Sequence, residues 1–256
     1  MFDSTRTLYD KPRTVCDCLY PGEVTGKQFT SVWTRDPRPA KSPGRSRDEI
    51  VRAAVELLDA EGLEGLSMRK LGARLGTGAT SIYWYVANKD ELLELAYDDF
   101  WGEITLPEPT AQTWQQTVAA AAHGMRRLIL RHPWSGELIG RMPSLGPNAL
   151  AFAAVLRRTF KLAGFAGLEI DYANTTLTAY VFGMTIPELA WNKSKADGGY
   201  DPDTMREAVT KATAGIPELT ESIHNSWDLD PDQVREMAFS FGLGAVLDGL
   251  EARLVT

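Results

Sequence analysis

Thr80, Ser81, Tyr83, Trp84 and Tyr85 place five side chains able to donate hydrogen bonds within six positions. Hydroxyls, phenols and an indole N–H suit phosphate oxygens and the edges of base pairs. Ile82 and Val86, four apart in the same run, point to one side and are expected to be buried. Three consecutive aromatics cannot all be core on so short a helix, so some of them face solvent or a partner. Arg69 and Lys89 flank the cluster and add two cations.

The run Leu66–Lys89 supplies the elements that hold these groups. Ser67 can N-cap a first helix by accepting an orphan backbone N–H. Leu66, Leu71 and Leu75 form its apolar side, and Gly76, free to take positive φ, ends it. Thr77 and Gly78 lead into a second helix opened by Gly78 and Ala79. Asn88 is the expected N-cap of the next helix, with Glu91 at the capping-box position. Lys89 then puts a cation where the macrodipole opposes it, and a phosphate bound at that N-terminus would reconcile the two. Two short helices on a tight turn, the second beginning with small hydroxyl residues, suit the DNA major groove. Aromatic hydroxyls and the indole would then reach phosphates, with Arg69 on backbone or base. The competing reading is a helical hairpin with surface aromatics.

Leu66–Leu93, with Tyr83-Trp84-Tyr85-Val86 and Asn88-Lys89-Asp90-Glu91-Leu92, resembles the DNA-binding domain of TetR-family transcriptional regulators. A leading helix over about Asp48–Glu61 fits the same pattern, with Ile50, Ala54, Leu57 and Leu58 as its stripe and Gly62 as its stop. The resemblance covers about residues 46–100. It implies an all-α chain, with a three-helix helix-turn-helix DNA-binding domain followed by a helical ligand-binding and dimerisation domain over 101–256. Gly78 and Ala79 depart from many relatives, which carry longer polar side chains there. Specificity would then lean on Thr80, Ser81, Tyr85, thymine methyls and an N-terminal arm.

Charge fits that division. The net charge is −7, yet residues 1–89 hold 14 basic and 11 acidic side chains, against 13 and 23 in the remainder. An acidic body would keep non-specific DNA affinity low. Residues 1–45 are punctuated by Pro and Gly and read as mostly disordered or extended. Their basic end includes Arg38, Lys41 and Arg45, with Arg47 just beyond. It is either a solvated tail or an arm reaching an A·T-rich minor groove. Residues 1–30 carry no such signal. Cys16 and Cys18 form a lone C-x-C without a second ligand pair, so no metal or other cofactor is expected. No apolar run is long enough to span a bilayer. Asp3 and Arg6 without an apolar stretch do not make a secretory signal, so the cytoplasm is the expected location.

The body reads as helices over about Thr113–Arg131, Asn148–Leu162, Leu168–Lys195 with a kink at Pro187, Thr204–Ala214 and Pro231–Arg253. Shorter turns are expected at Trp134–Gly140 and Pro217–Asn225, and a mobile loop at 197–202. Trp114, His123, Met125, Trp134, Met142, Phe152, Phe160, Tyr180, Met184 and Trp191 are candidates to line a pocket for a flat amphipathic aromatic molecule, although each singly reads as core. Arg131-His132-Pro133-Trp134 with Gly146-Pro147-Asn148 resembles a subgroup linked to control of antibiotic or multidrug export. Phe239, Leu243, Val246, Leu247, Leu250 and Leu254 share a broad face of the last helix. That face either packs on its own core or, as the family resemblance implies, forms the homodimer interface that a palindromic operator requires.

The function expected is a repressor released from its operator by the ligand. Ligand-activated and ligand-independent DNA binding remain alternatives. An enzyme acting on an aromatic small molecule is disfavoured: His123, His132 and His224 are the only imidazoles, and none sits in a nucleophile or zinc motif.

Overall fold

A computed structural model describes residues 31–35, 46–196, 198–199, 201–219 and 229–254. Arg38, Lys41, Arg45, Cys16, Cys18 and the end of the turn expected at Pro217–Asn225 lie outside the described residues. Of the loop expected at 197–202, residues 197 and 200 do too. Among the described residues there are nine α-helices and no strand.

The head is built from α1 (Arg47–Gly65), α2 (Met68–Arg74), α3 (Ala79–Ile82) and α4 (Lys89–Gly102). Ser46 starts α1 with a capping box: its hydroxyl accepts from the Glu49 amide, and the Glu49 carboxylate accepts from the Ser46 amide. Ile50, Ala54, Leu57 and Leu58 are buried. Gly62, at φ +69°, breaks the helix where expected, and a last turn runs on to Gly65. The Ser67 hydroxyl caps α2 by accepting from the Lys70 amide, and Gly76 leaves it at φ +65°. Such a cap stabilises by about 1 kcal/mol. Gly72 is a close-approach position that periodicity does not reveal. A Cβ there would stand 2.9 Å from the Thr77 carbonyl oxygen, so α2 closes against the turn only without a side chain.

Asn88 caps α4 by accepting from the Glu91 amide at 2.8 Å. The return half of the box is displaced by one residue, because Glu91 accepts from the Ala87 amide at 2.7 Å. Helix α4 is buried on nearly every side, Leu92, Ala96 and Phe100 among its inner residues, because α1 packs on it from the head and α6 from the body.

The short segment 31–35 differs from the extended tail expected for residues 1–45. Ser31 is buried, and its hydroxyl donates to Glu94 of α4. The Val32 amide donates to the same carboxylate oxygen at 3.1 Å. Arg35 pairs with the buried Glu91 at 2.6 Å, while Arg47 sits over the Trp33 ring, 5.9 Å from its centroid. Buried carboxylates are costly unless paired and hydrogen-bonded, and this turn supplies the partners for two of them.

The body consists of α5 (Trp114–Arg131), a 3-10 turn at Pro133–Glu137, α6 (Pro147–Ala163), α7 (Glu169–Ala196), α8 (Pro202–Thr213) and α9 (Pro231–Leu254). The Ala-rich α5 contacts α6, α7 and α9. Helix α6 ends at Gly164 with φ +118°, as its position predicts. Pro187 lies inside α7, where it cannot donate to the Gly183 carbonyl. Ile170, Ala173, Leu177, Val181 and Thr185 form one buried stripe of α7.

Candidate functional site

Tyr83 and Trp84 stand 50% and 67% exposed beside the buried Ile82 and Val86, the division that the run of aromatics requires. Tyr85 is half-buried against the head core. Gly78 is the N-cap of α3 without a side-chain bond, so Ala79, Thr80 and Ser81 form the first exposed or half-buried turn of the second helix. Thr77 is half-buried at the approach to it.

Cations near this face divide by what they already hold. Lys70 pairs with Glu61, and Arg74 bonds Glu56 through Nε at 3.1 Å and Nη2 at 2.6 Å. Arg69 between them is exposed and has no ion pair among the described residues, which leaves its guanidinium available to a phosphate or base. Arg47 lies 3.7 Å from Glu91 and over Trp33, so part of its charge is spent within the head. Lys89 has a role that the sequence reading missed. Its ammonium donates to the Leu63 carbonyl at 2.6 Å, satisfying an acceptor in the last turn of α1 that has no helical donor four residues on. An ammonium has three donors, so one such bond still leaves protons for a phosphate. Burial and the carboxylates of Glu103, Asp48 and Asp98 push the Asp99 carboxyl of α4 up from its ordinary value.

The candidate pocket residues fall into an inward-facing set and a set beside a groove. Trp114 packs with Phe160 and Phe165, Phe152 with Trp101, and Met125 is fully buried. Met142 is half-buried against the core. Trp134 is 1% exposed, and its indole N–H donates to Asp59 of α1. These side chains fill the body, as large inward-facing apolar groups do. Met184 and Trp191 line a groove of about 340 Å³ between α5, α7 and α9 with Pro187, Val234, Ala238 and Phe239. His123 and Tyr180 adjoin it through Phe239, with ring centroids at 5.2 and 5.5 Å.

The groove's polar floor is Arg126, which the sequence reading passed over because nothing local marks it. Its guanidinium grips Glu188 of α7 through Nε at 3.1 Å and Nη2 at 3.0 Å, and both side chains are buried. Nη1 reaches Glu236 of α9, which also lies 3.5 Å from His123 Nδ1, and the guanidinium stacks over Phe239. The Tyr180 phenol donates to the Phe239 carbonyl at 2.7 Å. Burial pushes that phenol's pKa up, while its bond to Leu243 backbone and the Arg126 charge draw it back.

The residues expected at the interface on the last helix face their own core. Phe239, Leu243, Leu247 and Leu250 are buried within their own chain, where α9 packs on α5 and α7, and Val246 and Leu254 are half-buried against the same core. A methyl at Gly242 would collide with the Tyr180 ring, so the small residue there serves packing inside one protomer. The free surface of α9 is the opposite face, with Met237 54% and Phe241 83% exposed.

Among the described residues no helix is long and apolar enough to cross a membrane, and no cluster of side chains is arranged to hold a metal ion. Residues 50–96 match the family described as bacterial regulatory proteins, tetR family. Residues 106–254 match the tetracyclin repressor-like C-terminal domain. An HTH-type transcriptional regulator of Saccharopolyspora erythraea is 38% identical over 190 residues, covering 74% of this chain and 80% of the relative. The HTH-type transcriptional repressor DrrR1 of Streptomyces coeruleorubidus is 32% identical over 86% of this chain and 83% of its own. Among solved structures, apo ActR from Streptomyces coelicolor superposes with a TM-score of 0.67 at 27% identity, over 83% of this chain and 97% of ActR. ActR in complex with actinorhodin gives 0.67 at 28% identity, over 82% and 99%. With the exposed aromatics of its helix-turn-helix and both halves matched, the chain belongs to the TetR family and is a DNA-binding transcriptional regulator of the tetracycline-repressor type, not an enzyme.

Proposed function

We propose that the chain acts in the cytoplasm as a homodimeric repressor, and that a small amphipathic aromatic molecule entering the α5–α7–α9 groove releases it from a palindromic operator. The observation that carries the DNA half is the pair of exposed rings, Tyr83 and Trp84, beside Arg69, exposed and without an ion pair among the described residues, on a helix-turn-helix. Such exposure costs solubility and needs a partner to justify it. For the effector half, the groove combines apolar walls with a charged floor, as ligand sites do. Actinorhodin bound to ActR is a further support for a small-molecule effector.

The dimer forms through the outward faces of α7 and α9. Tyr172, Thr176, Ala179, Gly183 and Ala190 recur at helical spacings and are all exposed, opposite the buried stripe of α7. Met237, Phe241 and Ala245 do the same on α9. Large anchors among small residues let helices of two protomers approach closely, and two-fold symmetry sets two reading helices about one DNA turn, ~34 Å, apart.

Two substitutions test the DNA reading on one labelled duplex and its scrambled control. Tyr83→Phe removes a phosphate donor and should weaken both duplexes alike, by roughly threefold to tenfold. Thr80→Ala, at a base-facing position, should narrow the preference between them instead. Equal effects of the two variants on specificity would refute the assignment of roles.

A further inference from the structure

One stretch of α7 serves two places. Met184, Pro187, Glu188 and Trp191 face the groove. Ile186 and Leu189, interleaved with them, meet the 3-10 turn Pro133–Glu137. A methyl built on Gly136 of that turn would stand 2.6 Å from Leu189 Cδ2 and 3.3 Å from Ile186 Cδ1, so these two side chains rest directly on the bare backbone of the turn.

The far side of the same turn holds the head. Trp134 Nε1 donates to Asp59 Oδ1 of α1 at 2.7 Å, and His132 Nδ1 lies 2.7 Å from that same oxygen. The indole and imidazole are 1% and 3% exposed, and Phe100 of α4 packs edge-on to both. His132 Nε2 is 3.1 Å from Glu103 Oε1 but is not aligned as a hydrogen bond, and Glu103 is itself held by Arg131 at 2.9 Å. A single carboxylate oxygen of the head therefore takes two groups presented by the body. Hydrogen bonds to a charged acceptor are directional, so they fix an angle where apolar packing would tolerate sliding.

We propose that Asp59 is the positioning residue through which the body sets the angle of the DNA-binding head, and that the groove wall of α7 is coupled to it through Ile186, Leu189 and Gly136. The input side rests on the effector reading given above. A molecule that moves the groove wall shifts Ile186 and Leu189 against bare backbone, and the turn carries Trp134 and His132 with it. A close-packed contact of this kind transmits displacement instead of absorbing it.

Amide hydrogen exchange on the full-length protein, without DNA or any small molecule, tests the joint independently of the effector reading. A lone methyl at position 136 can be met by turning the tip of Leu189, so the wedge is Gly136→Val. Exchange in α1 around Asp59 should rise about tenfold or more while α6 is unchanged. Adding Leu189→Ala makes room for the wedge and should return α1 to within about threefold of the parent. An α1 unmoved by the wedge, or a rise that Leu189→Ala fails to reverse, would overturn the proposal. Should Gly136→Val not fold, Asp59→Leu at its partly exposed position probes the same joint. Exchange should then rise in both α1 and residues 132–137, and a rise confined to α1 overturns the coupling.

Discussion

Replacing Phe241 with Lys should convert the dimer to monomers without unfolding the protomer. Phe241 is 83% exposed, so its own chain loses no packing when the ring is removed. In the proposed dimer the ring is an anchor, and losing one costs about 2 kcal/mol or more. Two-fold symmetry removes the anchor from both partners, so the dimer dissociation constant should rise by roughly three orders of magnitude. Sedimentation at micromolar concentration reads this directly, with affinity for a full palindrome falling in parallel. Leu243→Lys is the contrasting case. Leu243 is 3% exposed on the inward face, and a charge there has no partner, so the melting temperature should fall first. If Phe241→Lys stays dimeric, the outward face is not the interface.

Arg126→Met should destabilise the body by about 3–5 kcal/mol, because it strands the Glu188 carboxylate in a buried site. Urea unfolding at fixed protein concentration measures the loss. The double variant Arg126→Met/Glu188→Leu should recover most of it, since replacing a buried pair with apolar groups of similar size is often neutral or stabilising. A single variant as stable as the parent would mean that water reaches Glu188 and that the groove floor is open.

What was legible in the chain was local. Ser67, Asn88 and Gly76 announce their caps and turn through side-chain chemistry that acts within three residues, and they stand where that chemistry puts them. The burial of Ile82 and Val86 beneath exposed Tyr83 and Trp84 followed from helical spacing alone. The missed features are pairings across long stretches of chain. Arg126 and Glu188 are 62 residues apart, Ser31 and Glu94 63, and Asp59 and Trp134 75, and no periodicity encodes such meetings. The last helix is ambiguous for another reason. Phe239, Leu243, Leu247 and Leu250 form the regular stripe, while Met237 and Phe241 look like strays. Spacing says that a stripe is buried, not whether its own chain or a second copy buries it. The aromatic candidates carry the same ambiguity. Trp114, Trp134 and Phe152 have the chemistry of a ligand wall, but the body needs large side chains to fill its interior.

Selection of bound duplexes from a random DNA pool by the full-length protein tests the central claim most directly. The expected winner is an inverted repeat whose half-site centres lie about one helical turn, ~34 Å, apart, lost when Thr80 and Arg69 are both replaced by Ala. No enriched sequence, or an enriched site without two-fold symmetry, would contradict a dimer that reads DNA through α3.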